Sequence, residues 1–279
     1  MKWTSFFTPV ENLTPDQART YMEERAEGSY TLLDVRQPGE YENGHIPGAT
    51  LVPLPDLSDR IEELDKGKPV LAYCAVGGRS RAAAQYLAGR GFDRVFNLKG
   101  GIRAWDGLTA AGPEDEGMAW FRGDETLFTM LALAFGMEEG LAEFYRVVAG
   151  LREEPKVRAL LERLAAVEDR HRERIWDRYR AHDTKGIDRD AFESGAELEV
   201  MEGGFTTKAF LDRHAAAMET VQGTLSIAMM LEAQALDLYS RYARKSEDPV
   251  TRGVLLEVAD EEKQHLAALG RLLDEQEPT

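Results

Sequence analysis

A chain of 279 residues with 43% hydrophobic composition is long enough for two ordinary domains, each with its own core. Its 34 Lys+Arg against 50 Asp+Glu leave a formal net charge of −16, which repels nucleic-acid phosphates and anionic lipid surfaces, so neither is an expected partner. No apolar stretch approaches the roughly 20 residues of a membrane span, and the opening MKWTSFFTPVENLTPD lacks the basic start and long apolar run of a secretory signal, so a cytoplasmic protein is expected.

Up to about residue 106, short apolar runs alternate with helical patterns, which predicts an α/β domain around a mainly parallel sheet. Thr14-Pro15-Asp16-Gln17 sets a hydroxyl at an N-cap, proline at N1 and glutamine at N3, so a helix begins there. Tyr30–Val35 and Pro69–Tyr73 predict buried strands, with weaker ones at Leu51–Pro53 and Val95–Leu98.

Directly after Tyr73 comes Cys74-Ala75-Val76-Gly77-Gly78-Arg79-Ser80, and then an alanine-rich helical stretch, Arg81 to Arg90. A loop between a strand and a helix start turns several backbone N–H groups toward its centre, where they and the helix dipole stabilise an anion. The same field favours the thiolate of Cys74, its nucleophilic form. Gly77 and Gly78 permit the curl, and Arg79 adds a fixed charge able to fork onto a sulfonate or similar oxyanion. Cys74 and Arg79 are therefore the candidate catalytic residues, and Ala75, Val76, Gly77, Gly78 and Ser80 the candidate substrate-binding loop. A lone cysteine is more often a small buried hydrophobe, but its glycine-rich setting after a strand outweighs that reading here. Cys74 is the only cysteine, so the chain has no internal disulfide, no four-cysteine metal site and no second thiol to resolve the first. Any thiol chemistry is completed by an outside partner.

The loop C-x-x-G-x-R-S resembles the active-site loop of rhodanese-like domains, and further marks of that family follow the same order. They are Leu33-Asp34-Val35-Arg36, Glu40-Tyr41, Gly44-His45-Ile46-Pro47-Gly48-Ala49 and Lys99-Gly100-Gly101-Ile102-Arg103-Ala104-Trp105, so the resemblance covers about residues 8–106. It implies a sulfurtransferase in which Cys74 takes sulfur from a sulfane donor, becomes a persulfide and passes the sulfur to a thiol acceptor. Asp34, Arg36 and His45 are then structural supports. The cysteine-dependent phosphatases of the same fold have a longer loop, with five residues between cysteine and arginine. The four here, Ala75 to Gly78, favour sulfur over phosphate.

Residues 107–123, rich in glycine and acid and without a sustained period, read as a linker. Beyond it, segments 124–149, 153–182, 217–245 and 248–273 carry apolar residues at helical spacing. The longer connection between the second and third, with a short helix expected around Lys208 to His214, predicts an all-α four-helix bundle with one crossover over 124–279.

Two of these helices carry E-x-x-H, Glu168-Asp169-Arg170-His171 and Glu262-Lys263-Gln264-His265, each with carboxylate and imidazole on one face. In so acidic a chain one such pair means little. The internal repeat changes that judgement: Ala134–Tyr145 aligns without gaps on Ala228–Tyr239, so Glu138 recurs as Glu232 and Tyr145 as Tyr239. The offset is 94 for Glu138 to Glu232, Glu168 to Glu262 and His171 to His265 alike, so the bundle is two copies of one helical hairpin. In each copy 30 residues separate the two glutamates, 138 to 168 and 232 to 262, which antiparallel helices bring to one level. Four unpaired carboxylates in an apolar core need compensating positive charge. Two divalent cations supply it, and two neutral imidazoles complete a set suited to iron or manganese.

This half resembles the rubrerythrin branch of the ferritin-like superfamily over about residues 124–273, with all six ligand positions present. The resemblance implies a diiron oxidoreductase site, an external electron donor, and a homodimer through the helices. Tyr145 and Tyr239 are candidates to support the ligand carboxylates, or else core tyrosines. Two departures stand out: a glutamate typical of rubrerythrins three residues past the third-helix ligand is Ala235 here, and a four-cysteine rubredoxin domain is excluded. The leading expectation is sulfur transfer joined to diiron chemistry, in sulfur handling or defence against peroxide or O2. The competing ones are a ferroxidase or metal-holding bundle with a sulfur-binding sensor domain, and a scaffold with no catalysis.

Overall fold

The computed structural model describes residues 9–115, 117, 118, 123–183, 186–194, 214 and 216–275. The chain divides into two compact units, one built mainly on the N-terminal α/β residues and taking in Leu236–Arg241 and Leu255–Lys263, the other on the rest of the helical residues.

The first unit holds β1 (Glu11–Leu13), α1 (Pro15–Glu23), β2 (Thr31–Asp34), α2 (Pro38–Glu42), β3 (Thr50–Leu51), β4 (Val70–Tyr73), α3 (Gly78–Ala88) and β5 (Val95–Leu98). The sheet is parallel throughout, in the order β1-β5-β4-β2-β3. Its alternate residues enter two cores. Leu33, Val35, Val70 and Ala72 pack on one face with Leu57 and Leu87, while Leu32, Leu71 and Tyr73 pack on the other with Ala18, Tyr41 and Ile46. Burial on both faces is why β2 and β4 read as continuous apolar runs. The predicted capping box starts α1: Gln17 N–H donates to the Thr14 hydroxyl at 3.3 Å, and Thr14 N–H donates to the Gln17 side chain at 2.9 Å.

Strand β1 escaped the sequence reading because it is three residues long and only Leu13 of it is buried. It exists by pairing with β5, in the register Leu13 opposite Leu98. After β5 the chain stays with this unit into the expected linker, since Ala110 exchanges both backbone hydrogen bonds with His45, at 2.8 and 2.9 Å.

The helical part of the chain contains α4 (Leu127–Gly150), α5 (Pro155–His182), α6 (Arg189–Ser194), α7 (Val221–Lys245) and α8 (Pro249–Asp274). The four long helices begin where side chains of Thr126, Glu154, Thr220 and Asp248 accept from first-turn N–H groups. They share one apolar core, to which Leu141, Phe144 and Val148 come from α4, Leu161 and Leu164 from α5, Leu225 and Leu231 from α7, and Leu269 from α8. In the long connection, Phe192 of α6 packs its ring against Phe128, Phe135, Trp176 and Tyr179. The short helix expected around Lys208 to His214 falls, except for His214, outside the described residues. Among the described residues no helix is long and apolar enough to cross a membrane.

Candidate functional site

Cys74 is the first residue beyond β4, and Gly77 turns the chain into α3 with φ +93°, a left-handed conformation that suits glycine. The thiol lies at the floor of the loop: Cys74 is 1% exposed, whereas Val76 is 59% exposed. Ala75 is half-buried, Gly77 buried and Gly78 exposed. Gly77 N–H donates to Cys74 Sγ at 3.1 Å, and the Ser80 hydroxyl stands 3.4 Å from the same sulfur. Burial pushes the Cys74 thiol up, but hydrogen bonds from the Ser80 side chain and from backbone N–H groups of Ser80, Val76 and Gly77 outweigh it and bring the thiol below its ordinary value.

The loop is held from behind by the turn after β5. Ile102 N–H donates to Cys74 O at 2.8 Å and Arg103 N–H to Ala75 O at 3.1 Å. The approach is so close that a Cβ at Gly101 would lie 2.2 Å from Cys74 O, so this glycine of the Lys99-Gly100-Gly101 run shapes the site from behind.

Ser80 is fully buried beside the sulfur and starts a run of side-chain hydrogen bonds. Its hydroxyl is 2.7 Å from Asn97 Oδ1, and Asn97 Nδ2 donates to Asn12 Oδ1 at 2.8 Å. The hydroxyl has one proton for two acceptors. The thiolate, a charged acceptor, draws that proton when Asn97 and Asn12 are turned over together, so that Asn97 Nδ2 donates to the Ser80 hydroxyl and Asn12 Nδ2 to Asn97 Oδ1. Ser80→Ala removes a donor to the thiolate. It is expected to slow alkylation of Cys74 by iodoacetamide at neutral pH roughly threefold to tenfold, with the pH midpoint of alkylation moved upward. An unchanged midpoint would mean that the backbone donors alone set the thiol.

Arg79 differs from the open fork that the sequence suggests. Nη1 and Nη2 donate to the two carboxylate oxygens of Glu40, each at 2.7 Å. That hydrogen-bonded pairing holds the Glu40 carboxyl down at about 2 and raises Arg79 further, with the Cys74 thiolate a smaller influence on the arginine. The pair is thus ionised wherever the thiol titrates. Asp34 and Arg36 pair with each other and with the Gly44 turn: Arg36 Nη2 donates to Asp34 Oδ2 at 2.6 Å and to Gly44 O at 2.8 Å, with both side chains buried. His45 stacks on Tyr41 with centroids 3.5 Å apart and sets Nδ1 3.0 Å from Tyr41 O, within the same turn.

In the helices the six sequence-predicted ligands fall into two groups, Glu138 with Glu168 and His171, and Glu232 with Glu262 and His265. Within each, one ligand atom per residue lies within 4.8 Å of the others, close enough to share a cation. The four glutamates are at most 2% exposed. The His171 and His265 rings stack with centroids 3.8 Å apart, so the two groups are neighbours. Burial pushes the Glu168 carboxyl up; its contact with His171 pulls the other way, and the charge of Glu232 adds to the rise. Glu168 Oε2 and His171 Nδ1 approach to 2.7 Å without hydrogen-bond geometry, and neither Glu168 oxygen has a hydrogen-bond donor. Buried lone pairs converging in this way fit a metal ion better than a protein donor. Tyr145 and Tyr239 are buried on α4 and α7, and Ala235 is buried one turn beyond Glu232.

Residues 14–108 match the family model described as rhodanese-like domain. The chain is 44% identical over 96 residues to the uncharacterized protein YqhL of Bacillus subtilis (strain 168), covering 33% of this chain and 76% of that one. It is 36% identical over 98 residues to the thiosulfate sulfurtransferase GlpE of Pseudomonas syringae pv. syringae (strain B728a), covering 35% and 89% respectively. A protein named sulfurtransferase from Allochromatium vinosum is 42% identical over 85 residues, covering 30% of this chain and 79% of its own. With a buried, hydrogen-bonded cysteine in a strand-to-helix loop on a five-stranded parallel sheet, and with relatives matched over most of their length, the chain belongs to the rhodanese-like family.

Proposed function

We propose that the chain is a sulfurtransferase that carries sulfur as a persulfide on Cys74, joined to a helical domain whose six ligands hold two divalent metal ions. The observation that carries the first half is the thiol itself, brought below its ordinary value by donors converging on the sulfur despite burial. The Cys74 thiolate attacks the outer sulfur of a sulfane donor. A sulfur–sulfur bond forms to Cys74, the donor's own bond to that sulfur breaks, and the leaving group departs with the electron pair. An acceptor thiolate then attacks the outer sulfur of the persulfide, and the Cys74 thiolate is released. The four residues between Cys74 and Arg79 favour sulfur over phosphate.

In the helices, Glu138, Glu168 and His171 would hold one ion and Glu232, Glu262 and His265 the other, with Tyr145 and Tyr239 supporting the ligands. The resemblance to rubrerythrins favours iron, and manganese accepts the same ligands. Such a pair of ions, when bound, supplies one-electron chemistry toward peroxide or O2. Electrons come from an external donor, because a chain with one cysteine cannot carry a rubredoxin centre. A second reading is favoured by Ala235, which stands where typical rubrerythrins have a glutamate: the helices oxidise and retain Fe2+ instead of turning over peroxide.

Metal analysis of protein purified from iron-replete cells is expected to give about two ions per chain. Peroxide-dependent turnover with a supplied reductant separates the two readings, and metal-free protein from such cells would remove both.

A further inference from the structure

The ion pair between Glu40 and Arg79 lies beside the thiol, and the Cys74 thiolate, like Glu40 but more weakly, acts on the arginine. Arg79 is the one cation that the loop sequence contains, and its two terminal nitrogens are spent on Glu40 at 2.7 Å each. Both side chains are about one-third exposed, so they stand at the rim of the loop and not in its floor. A donor entering the loop therefore meets a neutral pair instead of a free guanidinium. Thiosulfate brings two negative charges to a thiolate that already carries one, and its sulfite leaving group keeps two. A protonated alkyl persulfide brings none: thiolate plus R–S–SH gives Cys74–S–SH plus the departing R–S⁻, with one negative charge throughout.

We infer that Glu40 is a specificity-determining residue that neutralises Arg79 and so biases the loop toward sulfane donors of low charge, alkyl persulfides, over dianionic thiosulfate. The inference rests on the sulfurtransferase reading for its substrates, but the charge effect can be read without it. Because Cys74 is the only cysteine, alkylation reports on this loop alone. Iodoacetate and iodoacetamide are nearly the same size and differ by one charge, so the ratio of their rates cancels access and thiolate fraction and leaves the field at the sulfur.

Glu40→Gln keeps the length and an acceptor oxygen but frees the arginine charge. It is expected to raise the iodoacetate-to-iodoacetamide ratio about threefold to fivefold at low salt, with the gain shrinking as salt is added. Glu40→Asp keeps the charge and is expected to keep the wild-type ratio, which separates charge from fold. In sulfur transfer to cyanide, Glu40→Gln should lower KM for thiosulfate severalfold while KM for 2-hydroxyethyl persulfide stays within twofold. A Glu40→Gln ratio within twofold of wild type, or an equal change in both variants, overturns the inference. If neither donor gives Cys74-dependent turnover in the wild type, the sulfurtransferase reading and the donor preference fall together. A raised alkylation ratio would then still support the neutralising role of Glu40.

Discussion

Cys74→Ala is expected to reduce sulfur transfer to the uncatalysed background, a loss of about 10⁴-fold or more in kcat/KM, because the sulfur that forms and breaks the covalent bond is gone. Cys74→Ser should do nearly as much, since a hydroxyl in the same cradle stays protonated at neutral pH. The loop donors that bring the thiol down, from Ser80, Val76 and Gly77, cannot bring an alcohol down far enough. Neither variant should unfold the protein. Cys74 is a small buried side chain among Leu33, Val35 and Ala83, and losing one sulfur there costs about 1 kcal/mol. Any bound metal should be unchanged, because the candidate ligands are all on α4, α5, α7 and α8. Measuring thiosulfate:cyanide and thiosulfate:thiol transfer in wild type and variants decides the matter. Equal rates in wild type and Cys74→Ala would end the assignment.

Removing metal is expected to lower the melting temperature of the helical unit by about 10 °C. Two ions, each present at about thirty times its dissociation constant, together contribute roughly 4 kcal/mol. For a unit of this size each kcal/mol moves the midpoint by about 2–4 °C. The cause is electrostatic: Glu138, Glu168, Glu232 and Glu262 are at most 2% exposed, and gathering four carboxylates out of water is costly unless cations offset their charge. This gives Glu168→Gln a sign that depends on metal. With metal supplied, the variant should bind fewer ions and melt below wild type. With a chelator present it should melt above chelated wild type, because one buried charge has become a neutral isostere. Calorimetry of both proteins in both conditions provides the check. A glutamine variant that is destabilised equally with and without chelator would show Glu168 to be a packed polar residue and not a ligand.

Much of this protein is legible without coordinates. The Cys74 loop announces itself because strand, loop and helix start are contiguous, so the chemistry needs no distant partner to be recognised. The paired E-x-x-H helices are legible for a related reason: a helix puts residues three apart on one face, and a repeat offset of 94 carries the same pattern into both hairpins. Helix ends were also near their predicted places, since Thr14, Thr126, Thr220 and Asp248 cap locally. All of these are short-range consequences of covalent spacing.

The remainder required the tertiary structure. Strand β1 is too short and polar to signal itself and is created by its pairing with β5, which in turn brings Asn12 to Asn97, 85 residues away, beneath Ser80 and the thiol. Glu40 and Arg79 are 39 residues apart, and nothing in either local pattern states that the arginine is already occupied. The turn at Gly101 meets Cys74 O only because β5 lies beside β4. Residue type and spacing thus singled out the candidate groups, whereas strand order determined which neighbours surround the thiol, because a hydrogen bond or an ion pair depends on distance in space and periodicity carries no information about partners so far apart in the chain.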